Sequence, residues 1–480
     1  MMLTGLAEVG GVLLDAFNGV VIIYFVLLNG TYLWMTLLAF GSLQRYARRM
    51  SSVDTGELMS AAGLPPVTLI APAYNEEPTC VEATRSLLTL RYPSYEMILV
   101  NDGSSDGTLA RMTEAFNLEP AARAPVSTIE TGAVRGVYKS RIHPNLWVID
   151  KENGGKADAL NAGINYCRSP LFCAMDADSL LEPEALTRIV RSFLEDASTI
   201  AAGGVIRIVN DCKVRSGVVE EVRLPKRFLA RIQVLEYLRS FLAGRMGWDA
   251  LDSTLIISGA FGMFSRSHVV AVGGYLHDTV GEDMELVVRL HRHCRERGEK
   301  YSVAFVPDPV AWTECPEDMK TLGRQRDRWQ RGLMESMWHN RVMILNPKYG
   351  RIGMLAAPYY FFLEVLGPII ESLGYVTFIV AVLLGRASGP YMIAFLAVAF
   401  ALGISLSFAA IALEELSFRR YPRLRDLATL LVVAIAENVG YRQISIWWRL
   451  RGMISKVRGA TAWGAMERKG FASSGEEGAD

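Results

Sequence analysis

Leu171-Phe172-Cys173-Ala174-Met175-Asp176-Ala177-Asp178 decides how this chain is read. Five apolar residues of strand length run straight into two carboxylates. An apolar run without alternation belongs to a strand covered on both faces, as in the sheet of an α/β protein. An isolated Asp-x-Asp is more often a solvated turn or a helix cap. Here a second apolar run, residues 96–100, also ends on acid, at Asn101-Asp102. Two buried strands with carboxylates at the same end point to a crevice that holds a charged ligand. Asp176 and Asp178 can share a hard cation, Mg²⁺ or Mn²⁺, which in turn neutralises a diphosphate.

Outward from this point, strand-like and helix-like stretches alternate through residues 64–345. Apolar runs at 67–71, 96–100, 146–149, 171–175, 200–208, 256–264 and 301–306 read as strands, and periodic segments such as 80–90 and 157–166 as helices. The expectation is an α/β fold whose mostly parallel sheet is covered on both faces, with the site beyond the carboxyl ends of the strands. Residues 115–145 read as a loop-rich insertion, and no internal repeat is visible.

Apolar sequence flanks this region on both sides. The chain has 480 residues, 51% of them hydrophobic, and a mean hydropathy of +0.20. Residues 17–43 carry no charge and are long enough to cross a hydrocarbon core of ~30 Å. Arg45, Arg48 and Arg49 follow, so the positive-inside rule puts the amino terminus outside and the rest of the domain in the cytoplasm. Residues 368–384 and 390–413 read as a transmembrane hairpin, and 352–366 as an interfacial or re-entrant helix. Residues 427–436 are short for a span, which favours three crossings plus interfacial helices over four or five. The division expected is an anchor (1–45), a cytosolic domain (64–345), a membrane hairpin with interfacial helices (350–460) and a tail (461–480) that is disordered over 471–480. The 50 basic and 50 acidic residues cancel, which gives no reason to expect a nucleic-acid partner. Six scattered cysteines without a Cys-x-x-Cys pair fit reduced thiols.

Further motifs carry candidate chemistry. Pro72-Ala73-Tyr74-Asn75-Glu76 ends the first strand and can line the pocket, although Asn75 and Glu76 also read as a helix start. Asn153-Gly154-Gly155-Lys156 sets a lysine in a glycine-flanked turn before a helix, which suits a phosphate or leaves a plain surface lysine. Gly281-Glu282-Asp283 precedes a periodic helix; Asp283 reads equally as an N-cap or as a general base for an attacking hydroxyl. Gln325-Arg326-Asp327-Arg328-Trp329 lies in a basic helical region. Arg328 can face a diphosphate and Trp329 a sugar ring, or the helix can simply meet lipid headgroups.

The acidic and aromatic motifs at residues 101–107, 176–178, 281–283 and 325–329, in this order within residues 67–333, resemble the membrane-embedded, inverting family-2 glycosyltransferases, the group of cellulose, chitin, hyaluronan and poly-N-acetylglucosamine synthases. The resemblance implies a GT-A (Rossmann-like) catalytic domain, a UDP-sugar donor of the UDP-GlcNAc or UDP-glucose type and a Mg²⁺ or Mn²⁺ cofactor. It implies that Pro72, Ala73, Tyr74, Glu76, Asp102, Lys156, Gln325, Arg328 and Trp329 meet the donor with Asp176 and Asp178, which also hold the metal. Asp283 takes the place of the catalytic base, while Ser258, Gly259, Ala260, Glu282 and Trp329 fall at the acceptor. One departure is Gly281, where the family usually carries Thr or a similar side chain. The implied activity is transfer of a sugar to a growing β-linked polysaccharide, coupled to export through the bilayer, with room for an export partner subunit. The alternatives are a non-processive transferase acting on a lipid and a catalytically silent nucleotide-sugar-binding scaffold.

Overall fold

The computed structural model describes residues 2–50, 63–215, 217–421 and 423–459, so the expected tail (461–480) lies outside the described residues. Its centre is a ten-stranded sheet. The strands are β1 (Val67–Ala73), β2 (Tyr95–Asp102), β3 (Leu118–Pro120), β4 (Val134–Ser140), β5 (Leu146–Lys151), β6 (Leu171–Met175), β7 (Leu180–Leu181), β8 (Thr199–Ile208), β9 (Lys213–Arg215), β10 (Val218–Glu221), β11 (Phe261–Ser265) and β12 (Ser302–Thr313). The sheet order is β3-β4-β5-β2-β1-β6-β11-β8-β12-β7, and β9 and β10 form a separate ribbon. Val67, Leu69, Ala71 and Ala73 of β1 join the core on one face, and Ile70 joins the core on the other. Cover on both sides is why these strands lack alternation.

The α/β class is as expected, but the sheet is mixed. β5-β2-β1-β6 run parallel, as do β8 and β12. β11 lies antiparallel between β6 and β8, and β3 and β4 extend the β5 edge antiparallel. Residues 115–145, which read as a loop-rich insertion, therefore supply two edge strands. An apolar run shows burial but not direction, which is set by how the chain returns to the sheet. The run expected at 256–264 forms a strand only from Phe261 onward. Its first part is extended chain lining the pocket described below.

Five helices matter for the site and its supports: α1 (Met2–Met50), α2 (Lys156–Tyr166), α3 (Glu282–Arg297), α4 (Met319–His339) and α5 (Tyr441–Val457). Gly11–Arg49 and Gly389–Ser417 are long and apolar enough to cross a membrane. Ile352–Val365 and Gly367–Leu383 pass the same test together, bent by 44°, and make a third span if counted as one. α1 packs Val21, Phe25 and Leu28 against Phe395 and Ala399 near one end, and Ala39 and Leu43 into the sheet core near the other. The sheet is fastened to the carboxyl-terminal helices by a buried ion pair, Arg207 to Glu414 at 2.7 Å. All six cysteines are buried and free.

His291 on α3 is buried, with Nε2 2.8 Å from the Thr254 carbonyl and Nδ1 2.9 Å from the Tyr301 hydroxyl. Burial, aided by Arg295, pushes its pKa down to about 4. Between pH 6.5 and 4 the unfolded chain therefore takes up a proton that the folded one refuses, and stability falls as pH falls. The expected cost between pH 7 and 4.5 is about 2 kcal/mol. His291→Gln, which keeps a donor for Thr254 and an acceptor for Tyr301, should lose this slope; denaturation midpoints across that pH range measure it.

Candidate active site

The parallel register places the strand ends side by side. Ala73 lies opposite Asn101 and Asp102 opposite Lys151. The loops after β1 and β2 are clasped together: Asn75 Oδ1 accepts from Ser105 N at 2.8 Å, and the Glu76 N–H donates to Thr108 Oγ1 at 2.9 Å. Pro72 and Ala73 close the strand beneath this clasp, and Tyr74 projects from it, 53% exposed.

Asp102 is not displayed to a ligand in this arrangement. It is 2% exposed, and its carboxylate accepts from Lys151 Nζ at 2.7 Å, Gly154 N at 3.0 Å and Gly155 N at 2.7 Å. Lys151, wholly buried, also pairs with Asp158. Two acids around one lysine, plus two backbone donors, fix the glycine turn that starts α2. Gly103 permits the approach: a Cβ there would lie 2.5 Å from Asn153 N, and its φ is +67°.

The turn aims Lys156 across the crevice. Its Nζ lies 2.6 Å from Asp176 Oδ1 and 3.1 Å from Glu282 Oε1. Burial works against the ammonium charge, but the pull of Asp176 and Glu282 wins and its pKa is raised. Glu282 is 3% exposed, with Oε2 buried and unbonded. Burial pushes its carboxyl up, Asp283 adds to that, and Lys156 and Arg328 oppose it.

Asp283 sits in the first turn of α3, whose N-cap is Gly281, so it does not serve as the cap. One carboxylate oxygen accepts from Gly259 N at 2.8 Å and the other from Met284 N at 2.8 Å. Lys156, Ser258, Gly259, Glu282 and Asp283 line one pocket with Ile257 and Tyr275. Ala260, next in the chain after Gly259, is buried. A Cβ at Gly259 would lie 2.9 Å from Lys156 Nζ, so a side chain there would push the lysine tip aside.

Gln325, Arg328 and Trp329 lie on α4. Trp329 is 41% exposed, with the Arg326 guanidinium 4.4 Å from its ring centroid. The charge of Arg328 reaches Glu282, so this helix shares the crevice. α4 touches the Asp283 turn through two glycines: a Cβ on Gly281 would lie 2.7 Å from Gly332 Cα. The departure at Gly281 thus has a steric reason.

Asp176 and Asp178 are both partly exposed at the β6 end. Among the described residues no group of three or more His, Cys, Asp or Glu could enclose a metal. Two carboxylates fit Mg²⁺ or Mn²⁺ nonetheless, because such ions complete their shells with water and substrate phosphates. Sequence reasoning missed Lys151, Asp158, Thr279, Gly332, Glu335 and Lys456. The pairing of Asp102 with Lys151 follows from strand register, and no local signal announces it. Arg245, also missed, stacks its guanidinium 3.7 Å over the Phe241 ring.

Comparison with known proteins fits this arrangement. The pattern described as Glycosyl transferase family 2 matches residues 68–267, and that of Glycosyl transferase family group 2 matches residues 171–408. The chain belongs to the family-2 glycosyltransferases. It is 28% identical over 267 residues to the poly-beta-1,6-N-acetyl-D-glucosamine synthase of Staphylococcus aureus, covering 55% of this chain and 54% of that protein. The Staphylococcus epidermidis synthase is 26% identical over 277 residues, covering 57% and 56%. The chain thus spans about half the length of the curated relatives it matches. Among solved structures, a mannosyltransferase from Pyrobaculum calidifontis in complex with GDP-Man and Mn²⁺ covers 86% of this chain and 99% of its own at 18% identity, TM-score 0.49. Staphylococcus aureus TarS covers 79% of this chain and 91% of its own at 14% identity, TM-score 0.39.

Replacing Gly281 with Thr, the residue usual in the family, should here force α4 away from the turn and destabilise the fold by about 1–3 kcal/mol. Thermal unfolding in detergent measures this, and an unchanged melting temperature would refute the close contact.

Proposed function

We propose that this chain is a membrane-anchored, inverting glycosyltransferase that moves a sugar from a UDP-sugar to a hydroxyl of a growing β-linked glycan. The observation that carries the reading is Asp283: a partly exposed carboxylate, oriented by Gly259 N and Met284 N, in the pocket that Lys156 joins to Asp176. A carboxylate so held can take the proton of an acceptor hydroxyl. The hydroxyl oxygen then bonds the anomeric carbon, the bond from that carbon to the diphosphate oxygen breaks, and its electron pair leaves with UDP. One such displacement inverts the centre; a retaining route would need a second carboxylate placed as nucleophile.

Asp176 and Asp178 would hold Mg²⁺ or Mn²⁺, which supplies charge neutralisation for the diphosphate. Arg328 adds positive charge on the leaving-group side, and Lys156 holds Asp176 and Glu282 in place. Asp102 acts from beneath, shaping the turn that presents Lys156. A donor of the UDP-GlcNAc type is the reading supported by similarity to the staphylococcal poly-beta-1,6-N-acetyl-D-glucosamine synthases. Processive growth and export through the bilayer fit the apolar helices on both flanks, and Arg45, Arg48 and Arg49 favour a cytoplasmic catalytic domain.

Asp283→Asn should abolish sugar transfer from radiolabelled UDP-GlcNAc while UDP still binds; full activity in that variant would remove the assigned role. Asp176→Asn combined with Asp178→Asn should instead make UDP affinity insensitive to added Mn²⁺, read by calorimetry on the detergent-solubilised protein. A Mn²⁺ response as large as that of the native chain would count against the metal site.

A further inference from the structure

Asp283 needs more than its own two hydrogen bonds, because the turn that carries it, residues 279–283, has to be held against α4. Besides the Gly281–Gly332 contact and Ser336 Oγ, which donates to the Gly281 carbonyl at 3.4 Å, that hold centres on one carboxylate. Glu335 on α4 is 4% exposed. Its Oε2 accepts from Thr279 Oγ1 at 2.9 Å and from Val280 N at 2.8 Å. Thr279 Oγ1 in turn accepts from Gly281 N at 3.1 Å. The other oxygen of Glu335 receives Lys456 Nζ at 2.7 Å. Lys456 belongs to α5, so three segments distant in sequence meet at one side chain.

α5 is fastened to α4 along its length. Arg449 Nε donates to Gln330 at 2.8 Å, and Arg451 reaches Asp327 Oδ2 and the Gly323 carbonyl, each at 3.1 Å. Gly452 allows the backbones to close: a Cβ there would meet Asp327 O at 2.6 Å. Arg449, Arg451 and Lys456 of α5 are thus spent on α4 and its contacts. What α5 turns outward includes Trp447, Ile454 and Val457, all exposed, the apolar groups a helix resting on a bilayer presents.

We propose that Glu335, held by Lys456, is the positioning residue of the catalytic turn, and that through it the membrane-surface helix α5 sets where the Asp283 carboxylate stands. This rests on the reading of Asp283 as the base. A buried carboxylate that binds two donors of one turn and a cation from another helix has few alternatives in placement. A base displaced by about 1 Å loses roughly a hundredfold in rate.

The test uses the full chain in detergent or nanodiscs with UDP-GlcNAc as donor. Glu335→Ala should lower kcat roughly ten- to hundredfold, with donor KM and UDP affinity within about twofold of native, since Asp176 and Asp178 follow β6 and make no hydrogen bond with Glu335. The double variant Glu335→Gln with Lys456→Met keeps an acceptor oxygen for Thr279 and Val280 without opposing an amide to an ammonium. It should regain most of the rate. An unchanged kcat in Glu335→Ala, a parallel loss of UDP binding, or a double variant as slow as Glu335→Ala would each overturn the proposal. Asp283→Asn measured alongside separates the two readings. Transfer by that variant removes the base assignment, whereas an inactive Asp283→Asn beside a fully active Glu335→Ala removes the positioning role alone.

Discussion

The contact between Gly281 and Gly332 governs how the rest of the site is assembled. Without side chains on either, the start of α3 and the middle of α4 approach until backbone meets backbone. That approach brings Arg328 into the electrostatic field of Glu282 and lets Glu335 reach Thr279 and Val280. Dense packing transmits such a placement because interiors do not stretch. A threonine at Gly281 could donate a hydrogen bond locally; this chain uses Thr279, two residues earlier, to accept from Gly281 N instead.

Charge is arranged in two layers around the crevice. In the lower layer Lys151 is wholly buried between Asp102 and Asp158, and the two glycine N–H groups complete the shell of Asp102. Buried charge of this kind persists only when paired and fully hydrogen-bonded. In the upper layer Lys156 bridges Asp176 and Glu282, with Asp178 and Asp283 partly open to solvent. The lower layer holds the backbone still, and the upper one offers carboxylates and a lysine at the surface of the crevice. Both layers depend on β2 and β5 pairing in parallel at the register that sets Asp102 beside Lys151.

Much of this was legible from the sequence. The strands at Val67–Ala73, Tyr95–Asp102 and Leu171–Met175 announce themselves as unbroken apolar runs, because burial on both faces removes the polar alternation. Acid at a strand end of a parallel sheet falls on the ligand side, which is the physical ground for expecting the acidic motifs to converge. The misreadings have one physical origin. The direction of β11 and the strands β3 and β4 are set by partners distant in the chain, and a short half-polar strand such as Val134–Ser140 looks like loop until its neighbour is known. The pairing of Asp102 with Lys151 and the glycine turn is hidden for the same reason: its partners lie 49 to 53 residues away.

The sequence by itself determined the class of fold, the family and the identity of the acidic groups, because apolar runs, charges at their ends and motif order are local properties of the chain. Tertiary structure alone decided which carboxylate is exposed and which is consumed. Asp102 and Asp283 each end an ordinary-looking acidic motif, yet register buries the first under Lys151, while a glycine–glycine contact and a glutamate from another helix leave the second at the pocket wall. Distance along the chain hides such pairings, and only packing brings them together.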